Sequence, residues 1–410
     1  MPEAVQIAFG TIFFESGLVT ENTKLFDALS VPAKSLPESG IVEVMNYGRR
    51  REGTIALWAG EGDLPTPDFI SEAAARSLKS GETFYTWQRG IPELREQLAL
   101  YHHRLYGVPV EPERYFVCGS GMQAIQIAFN MALSSGDEVI IPSPTWPNAA
   151  AAAQVVGAKP VFIEMDFGDN GFSLDSSKIE TLINARTRAI FLNTPSNPSG
   201  WVATIDDLKN VLALARKHGL WIVADEIYAR FYWKGGDRSP SFRDVMDADD
   251  RIIFVNTFSK NWAMTGWRIG WLEAHPSLGQ VVENLIQYST SGVAVFMQRA
   301  GIAALDKGET FVKHMIARSR RGRDITVNVL GRSNRVRLAP PDGAFYAFFS
   351  VEGETDSRAL AMKLIDEAGV GLAPGTAFGP GAKPFLRLCF ARSPESVEIV
   401  VNRLADWLKR

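Results

Sequence analysis

Cysteine is nearly absent: the 410 residues contain two, Cys118 and Cys389. Both sit inside apolar runs far apart in sequence, which excludes a disulfide framework and reads as two buried thiols of a reducing compartment. Histidine is also scarce. The five, at positions 102, 103, 218, 275 and 314, show no ligand spacing, so no metal centre is expected. Charge of one sign is not in excess either, with 43 basic against 46 acidic residues and a net charge of −3. No global field would draw the chain to nucleic acid or to an anionic membrane. The apolar run Ile7–Phe14 is too short for a membrane span, lacks a basic segment before it and is closed by Glu15, unlike a secretory signal. A cytoplasmic protein is the expectation. Internal repeats and low-complexity tracts are missing apart from the alanine run 149–153, which reads as helix.

What is present is an ordinary globular composition, 46% hydrophobic and 22% charged, in a chain long enough for two domains. Residues 1–55 read as irregular, with the basic triplet Arg49–Arg51 a solvated turn. Helices are expected over Glu72–Ser80 and over Glu93–Leu105, where Leu94, Leu98, Tyr101 and Leu105 form a stripe and Pro92 opens the helix. Short apolar strands then alternate with helical segments: Tyr115–Cys118, Glu138–Ile141, Lys159–Ile163, Arg188–Leu192, Leu220–Ala224, Ile252–Val255 and Arg268–Leu272. That rhythm implies an α/β fold with a mostly parallel sheet covered by helices on both faces. After a helix near Pro276–Tyr288 the pattern changes. Helices near Thr310–Leu330, Asp356–Ala368 and Pro394–Lys409 enclose strands at Ala344–Phe349 and Phe385–Phe390, a smaller α+β domain completed by the N-terminal segment. The expected division is 61–309 for the large domain and 1–60 with 310–410 for the small one.

The chemistry concentrates on Thr257-Phe258-Ser259-Lys260, just past a buried strand, followed by Gly266-Trp267-Arg268-Ile269-Gly270. Open α/β sheets present ligands at such strand ends. A lysine amine is nucleophilic only when deprotonated, and a dry pocket with a second cation nearby, here Arg268, would lower its pKa. Thr257 and Arg268 suit a bound phosphate. Gly119-Ser120-Gly121-Met122-Gln123-Ala124 follows another strand and opens a helix, so its free amides and helix dipole form an anion site. A purely structural glycine turn fits this stretch equally well.

Three more strand ends and the interior of one strand carry candidates. Trp146, between prolines in Pro144-Thr145-Trp146-Pro147-Asn148, is either core or a face for stacking on a flat ring. Asn197, in Asn193-Thr194-Pro195-Ser196-Asn197-Pro198-Ser199-Gly200, sits in a turn that Pro198 stiffens. In Ala224-Asp225-Glu226-Ile227-Tyr228, Asp225 is a helix cap or a buried charge that needs a partner. Arg387, alone among the apolar residues of Phe385-Leu386-Arg387-Leu388-Cys389-Phe390, requires an anion, either an internal salt bridge or a ligand.

Together these motifs, in this order, resemble the pyridoxal-phosphate (PLP) aminotransferases of fold type I, aminotransferase class I/II, of the aspartate aminotransferase-like kind. The likeness covers nearly all the chain beyond about residue 50, including Pro341–Tyr346 and Pro374–Gly379. It implies that Lys260 binds PLP as a Schiff base and moves protons in catalysis, and that Gly121, Met122, Thr257 and Arg268 hold the phosphate. Trp146 stacks on the ring, while Asn197 and Tyr228 contact its oxygen. Asp225 keeps the ring nitrogen protonated, and Arg387, with Asn197, Trp146 and Gly60 nearby, takes the substrate. Tyr85 reaches the phosphate in a neighbouring subunit, which implies a homodimer with sites at its interface. The implied reaction passes an amino group between an L-amino acid and a 2-oxo acid by a ping-pong mechanism. Aspartate or glutamate is a candidate donor, although Tyr288–Gly292 lacks the arginine that some dicarboxylate-preferring members supply from the partner subunit. Gly60, Trp87 and Thr290 are candidates for lining the side-chain pocket. Alternatives of the same fold are a PLP-dependent β-eliminating lyase and a ligand-sensing module. The latter needs a DNA-binding unit ahead of the core, and residues 1–55 are too short for one.

Overall fold

A computed structural model describes residues 23–410, so the run Ile7–Phe14 lies outside the described residues. The alternating segments build one seven-stranded sheet. Its strands are β1 (Tyr115–Cys118), β2 (Glu138–Ser143), β3 (Lys159–Glu164), β4 (Thr187–Asn193), β5 (Trp221–Asp225), β6 (Ile252–Thr257) and β7 (Gly270–Glu273). Across the sheet they run β1-β7-β6-β5-β4-β2-β3. Every pair from β6 to β3 is parallel, whereas β7 runs antiparallel to both neighbours. Strands β1, β2, β6 and β7 are buried at every residue, which is why the sequence shows unbroken apolar runs there and not alternation. Register does the rest. Asn193 lies abreast of Asp225, and Asp225 abreast of Val255, so the parallel strands end together and bring their following loops to one edge.

A second sheet is antiparallel: β8 (Val336–Leu338), β9 (Tyr346–Val351), β10 (Ala373–Pro374) and β11 (Phe385–Cys389), in the order β8-β9-β11-β10. Arg387 sits in the middle of it, paired with Phe348 on one side and Ala373 on the other. Helices Glu309–Leu330, Ser357–Ala368 and Pro394–Leu408 pack around this sheet. Among the described residues no helix is long and apolar enough to cross a membrane.

Three expectations need correction. The segment before residue 55 is not irregular where it is described, because it holds helices Thr23–Asp27, Val31–Ser35 and Gly40–Gly48. The last is capped by the Ser39 hydroxyl on the Val42 amide, and it buries Val44 and Gly48. Nine residues with a glycine at each end leave too few turns for a periodic signal. Second, helix Val295–Lys307 was not anticipated; it packs on helix Asp68–Lys79. Third, the strand expected over Arg268–Leu272 begins only at Gly270, because Arg268 takes a left-handed turn at φ 53°.

The N-terminal helix is fixed by one aromatic ring. Trp58 is wedged between the backbones of Gly48 and Gly371, where a Cβ at either glycine would fall on the indole. Beside it, Ile55–Ala56 pairs in parallel with Val370–Gly371. Replacing glycine by alanine near a helix end normally stabilises by up to about 1 kcal/mol. Gly48→Ala should instead destabilise, by about 1–3 kcal/mol through overpacking, read as a lower urea midpoint. A raised midpoint would show that Trp58 does not fill this space.

Candidate active site

The carboxyl ends of β4, β5 and β6, the start of helix Gly121–Ala132, strand β11 and the helix Gly40–Gly48 enclose a cavity of about 400 Å³. That size suits a small cofactor with a small substrate. Gly60, Gly121, Met122, Trp146, Asn197, Asp225, Tyr228, Thr257, Lys260, Arg268 and Arg387 all line it. Residues scattered over more than three hundred positions therefore meet at one sheet edge.

Asp225 ends β5 and is 1% exposed. Its carboxylate receives only the Ile227 amide, at a long 3.4 Å. Burial pushes its pKa up to about 7, with the amide and the Lys260 charge opposing this weakly. A carboxylate so poorly answered inside a cavity is built to meet a positive group on a ligand. Its neighbour Glu226 points the other way, into a closed network with Ser241 and Arg243. That geometry gives Glu226 a structural part.

Lys260 reaches into the cavity from the loop after β6 and donates to the Gly60 carbonyl at 2.8 Å. Burial is the main reason its pKa falls to about 8; Arg387 and Arg268 add smaller contributions in the same direction. Both causes expected from the sequence, a dry pocket and the nearby Arg268, act in this direction, removal from water being the larger. Gly60 has to be glycine, because a Cβ there would fall on the Tyr346 hydroxyl.

At the far side, the Gly121 and Met122 amides belong to the first turn of helix Gly121–Ala132, where no helical acceptor exists for them. Thr257 and Ser259 join this edge, their hydroxyls 2.9 Å apart. Arg268 is turned toward it by its left-handed backbone, and its guanidinium donates to the Thr265 carbonyl at 2.7 Å. The loop can lie this close only because residue 270 is glycine: a Cβ there would come within 2.6 Å of the Asn256 carbonyl and 2.9 Å of the Gly121 amide. Amides, hydroxyls and one guanidinium make a cradle for a phosphate.

Arg387 is 2% exposed. It donates to Asn197 Oδ1 at 2.9 Å and to the Trp58 carbonyl, while its Nε has no partner. The Tyr346 and Phe378 rings lie 4.6 and 4.9 Å from the guanidinium carbon. No carboxylate among the described residues pairs with it, so the internal salt bridge left open by the sequence is not formed. The uncompensated cation faces the cavity, fit for a substrate carboxylate. Tyr228, whose hydroxyl lies 2.8 Å from that of Tyr346, is pushed well above the ordinary phenol range by burial.

Tyr85 does not reach this cavity; it is 94% exposed. Trp87 and Thr290 do not line it either: Trp87 is exposed, and the Thr290 hydroxyl receives the Gln123 amide. Sequence reasoning missed Ser259, Trp58, Glu61, Asn193 and Tyr346, together with Ile41, Val42 and Met45 of the N-terminal helix. Ser259 had a signal, its place beside Thr257 and Lys260. The others read as core or as loop.

A buried carboxylate, a buried guanidinium, a buried amine and the open amides of a helix start surround one hollow, the outline of an enzyme's active site. The chain belongs to the aminotransferase class I and II family, whose model matches residues 53–404. It is 35% identical over 379 residues to an aspartate aminotransferase of Pyrococcus horikoshii, covering 91% of this chain and 95% of that protein. A solved aspartate aminotransferase of Thermotoga maritima superposes with a TM-score of 0.86 at 32% identity, over 93% of this chain and all of that one. An alanine aminotransferase of Pyrococcus furiosus also superposes at 0.86, with 26% identity, over 93% of this chain and 99% of that one. The protein is an aminotransferase, and enzymes of this family use PLP.

With its pKa near 8, Lys260 is neutral in a far larger fraction at pH 7 than a solvated lysine. Modification of the cofactor-free protein by an amine-directed reagent should therefore label Lys260 first. The rate should rise with pH to a midpoint near 8, followed by peptide mapping. A midpoint above 10 would show that the amine is not desolvated.

Proposed function

We propose that the chain binds PLP in this cavity and transfers the amino group of an α-amino acid to a 2-oxo acid. The observation that carries this is the pair of buried, opposite and mutually unpaired charges, Asp225 and Arg387, with the Lys260 amine in the same cavity. Bound PLP would supply an aldehyde carbon for the amino group and a ring that takes up the electrons left when the substrate loses its α-proton.

The residues then take distinct parts. Lys260 Nζ would hold the aldehyde carbon, and its free amine would accept the proton from the substrate α-carbon. Asp225 holds the proton on the ring nitrogen. Tyr228 and the free amide side of Asn197 donate to the ring oxygen, and Trp146 covers the ring face. The Gly121 and Met122 amides, Thr257, Ser259 and Arg268 bind the phosphate. Arg387 takes the substrate carboxylate through a two-pronged contact, steadied by Asn197 and the Trp58 carbonyl. The aspartate aminotransferase relatives make aspartate or glutamate one candidate donor, and the alanine aminotransferase neighbour makes a small neutral amino acid another.

The same reading assigns 61–309 to a large cofactor-binding domain and 1–60 with 310–410 to a small one. A core that gathers Val44, Trp58 and much of 330–408 supports this division. It also makes the active form a homodimer, with Tyr85 reaching the partner's phosphate site. Phe84, Tyr85, Trp87 and Tyr288, all strongly exposed in the single chain, support that as a contact surface. A cytoplasmic location belongs to this reading too.

Borohydride reduction of the PLP-loaded protein should leave a pyridoxyl tag on Lys260, found by peptide mapping, and none on Lys260→Ala. A tag on another lysine would reassign the amine. Arg387→Ala should lower kcat/KM by an amount equal to about 2–5 kcal/mol, the cost of leaving a desolvated carboxylate half-paired. An unchanged kcat/KM would remove Arg387 from carboxylate binding.

A further inference from the structure

We infer that this site prefers an amino donor with a neutral, apolar side chain over a dicarboxylic one, and that helix Gly40–Gly48 supplies the wall that selects it. The inference rests on the aminotransferase reading and deepens it.

The first observation is an inventory of charge. Among the described residues three cations line the cavity, Lys260, Arg268 and Arg387, and each has a task already. Lys260 is the amine, Arg268 stands at the phosphate cradle, and Arg387 lies between Asn197 and Trp58 at the carboxylate position. None of the three is left for a second substrate carboxylate, and Tyr288–Gly292, the stretch from which a partner subunit would supply an arginine, holds none. The cavity instead holds another acid, Glu61, whose carboxylate accepts the Thr265 hydroxyl at 2.9 Å. A side-chain carboxylate bound here would lose water without gaining a cation, and Glu61 would repel it.

The second observation is the wall itself. Ile41, Val42 and Met45 line the cavity from one side of the helix, with Met122 and Trp146 lining it from the seven-stranded sheet. Val42 is 49% exposed on a helix whose Val44 is fully buried, so its apolar surface is open toward the cavity mouth. Covering such surface favours apolar groups by roughly 0.8 kcal/mol per methylene. The start of this helix does not act as an anion site, since Ser39 caps the Val42 amide and Glu43 in the first turn pairs with Arg358.

The third observation ties wall to anchor. Trp58 holds Arg387 through its carbonyl, and its ring is clamped between Gly48 of the same helix and Gly371. The apolar face therefore keeps a fixed offset from the carboxylate position, as selection by side chain requires.

The test uses the PLP-loaded enzyme in single turnover, following loss of the cofactor absorbance with leucine, phenylalanine, aspartate and glutamate. Leucine or phenylalanine should react at least about tenfold faster per unit concentration than either dicarboxylate, the discrimination an apolar pocket gives. Aspartate or glutamate reacting faster than both would overturn the preference while leaving the aminotransferase reading intact. No reaction with any amino acid would strike that reading and the inference with it. As a binding measure, 3-phenylpropionate should perturb the cofactor spectrum at lower concentration than maleate, and the reverse order would count against the wall. Val42→Lys places a cation on the wall at an exposed position, and should shift the aspartate-to-leucine ratio toward aspartate by about tenfold. An unchanged ratio would remove helix Gly40–Gly48 from selection.

Discussion

Two charges of opposite sign are buried in one cavity and do not meet. Asp225 is 1% exposed and Arg387 is 2% exposed, yet they form no ion pair with each other. Left to itself, a chain would gain by bringing such groups together or by removing both. Their separation is enforced by architecture. Asp225 is fixed at the end of β5 in the parallel sheet, and Arg387 in the middle of β11 in the antiparallel one. A ligand that brought a positive group to one and a negative group to the other would satisfy both.

The scaffold around this pair is correspondingly rigid. Behind Asp225, Glu226 is held by Ser241 and Arg243; Arg243 also pairs with Glu273 of β7, which in turn lies 3.4 Å from His102. This network pairs its carboxylates with Arg243 and does not line the cavity, so it stiffens the strand ends without competing for ligand. On the opposite side, Gly60, Gly270 and Gly48 each allow a backbone approach that a Cβ would block. Close approach without side chains lets loops from three parts of the chain share one small volume.

The site was legible in the sequence to the extent that it sits on parallel strands. Such strands all end at the same edge, so Asn197, Asp225 and Lys260 could be placed together from their positions after β4, β5 and β6. Arg387 stood out because an arginine inside an apolar run needs an anion. Where residues act across the two sheets the sequence was silent. Tyr346 reads as one more aromatic in a core strand, and only the fold brings its hydroxyl to Tyr228, 118 positions away. Trp58 acts through its carbonyl, which no side-chain pattern can reveal. The helix Gly40–Gly48 escaped because its stability comes from docking on Trp58 and helix Ser357–Ala368, not from its own periodicity.

Desolvation works on Lys260 and Asp225 in opposite chemical senses. It drives the amine toward its neutral form, about 8, which is the form that attacks a carbonyl. The same dryness drives the carboxylate toward its neutral form, about 7, which cannot hold a proton on a ring nitrogen by charge. One cavity cannot serve both groups by burial alone. On the proposed reading, a cationic ring nitrogen beside Asp225 would favour the ionised carboxylate by its opposite charge, while the neutral amine would need no such correction.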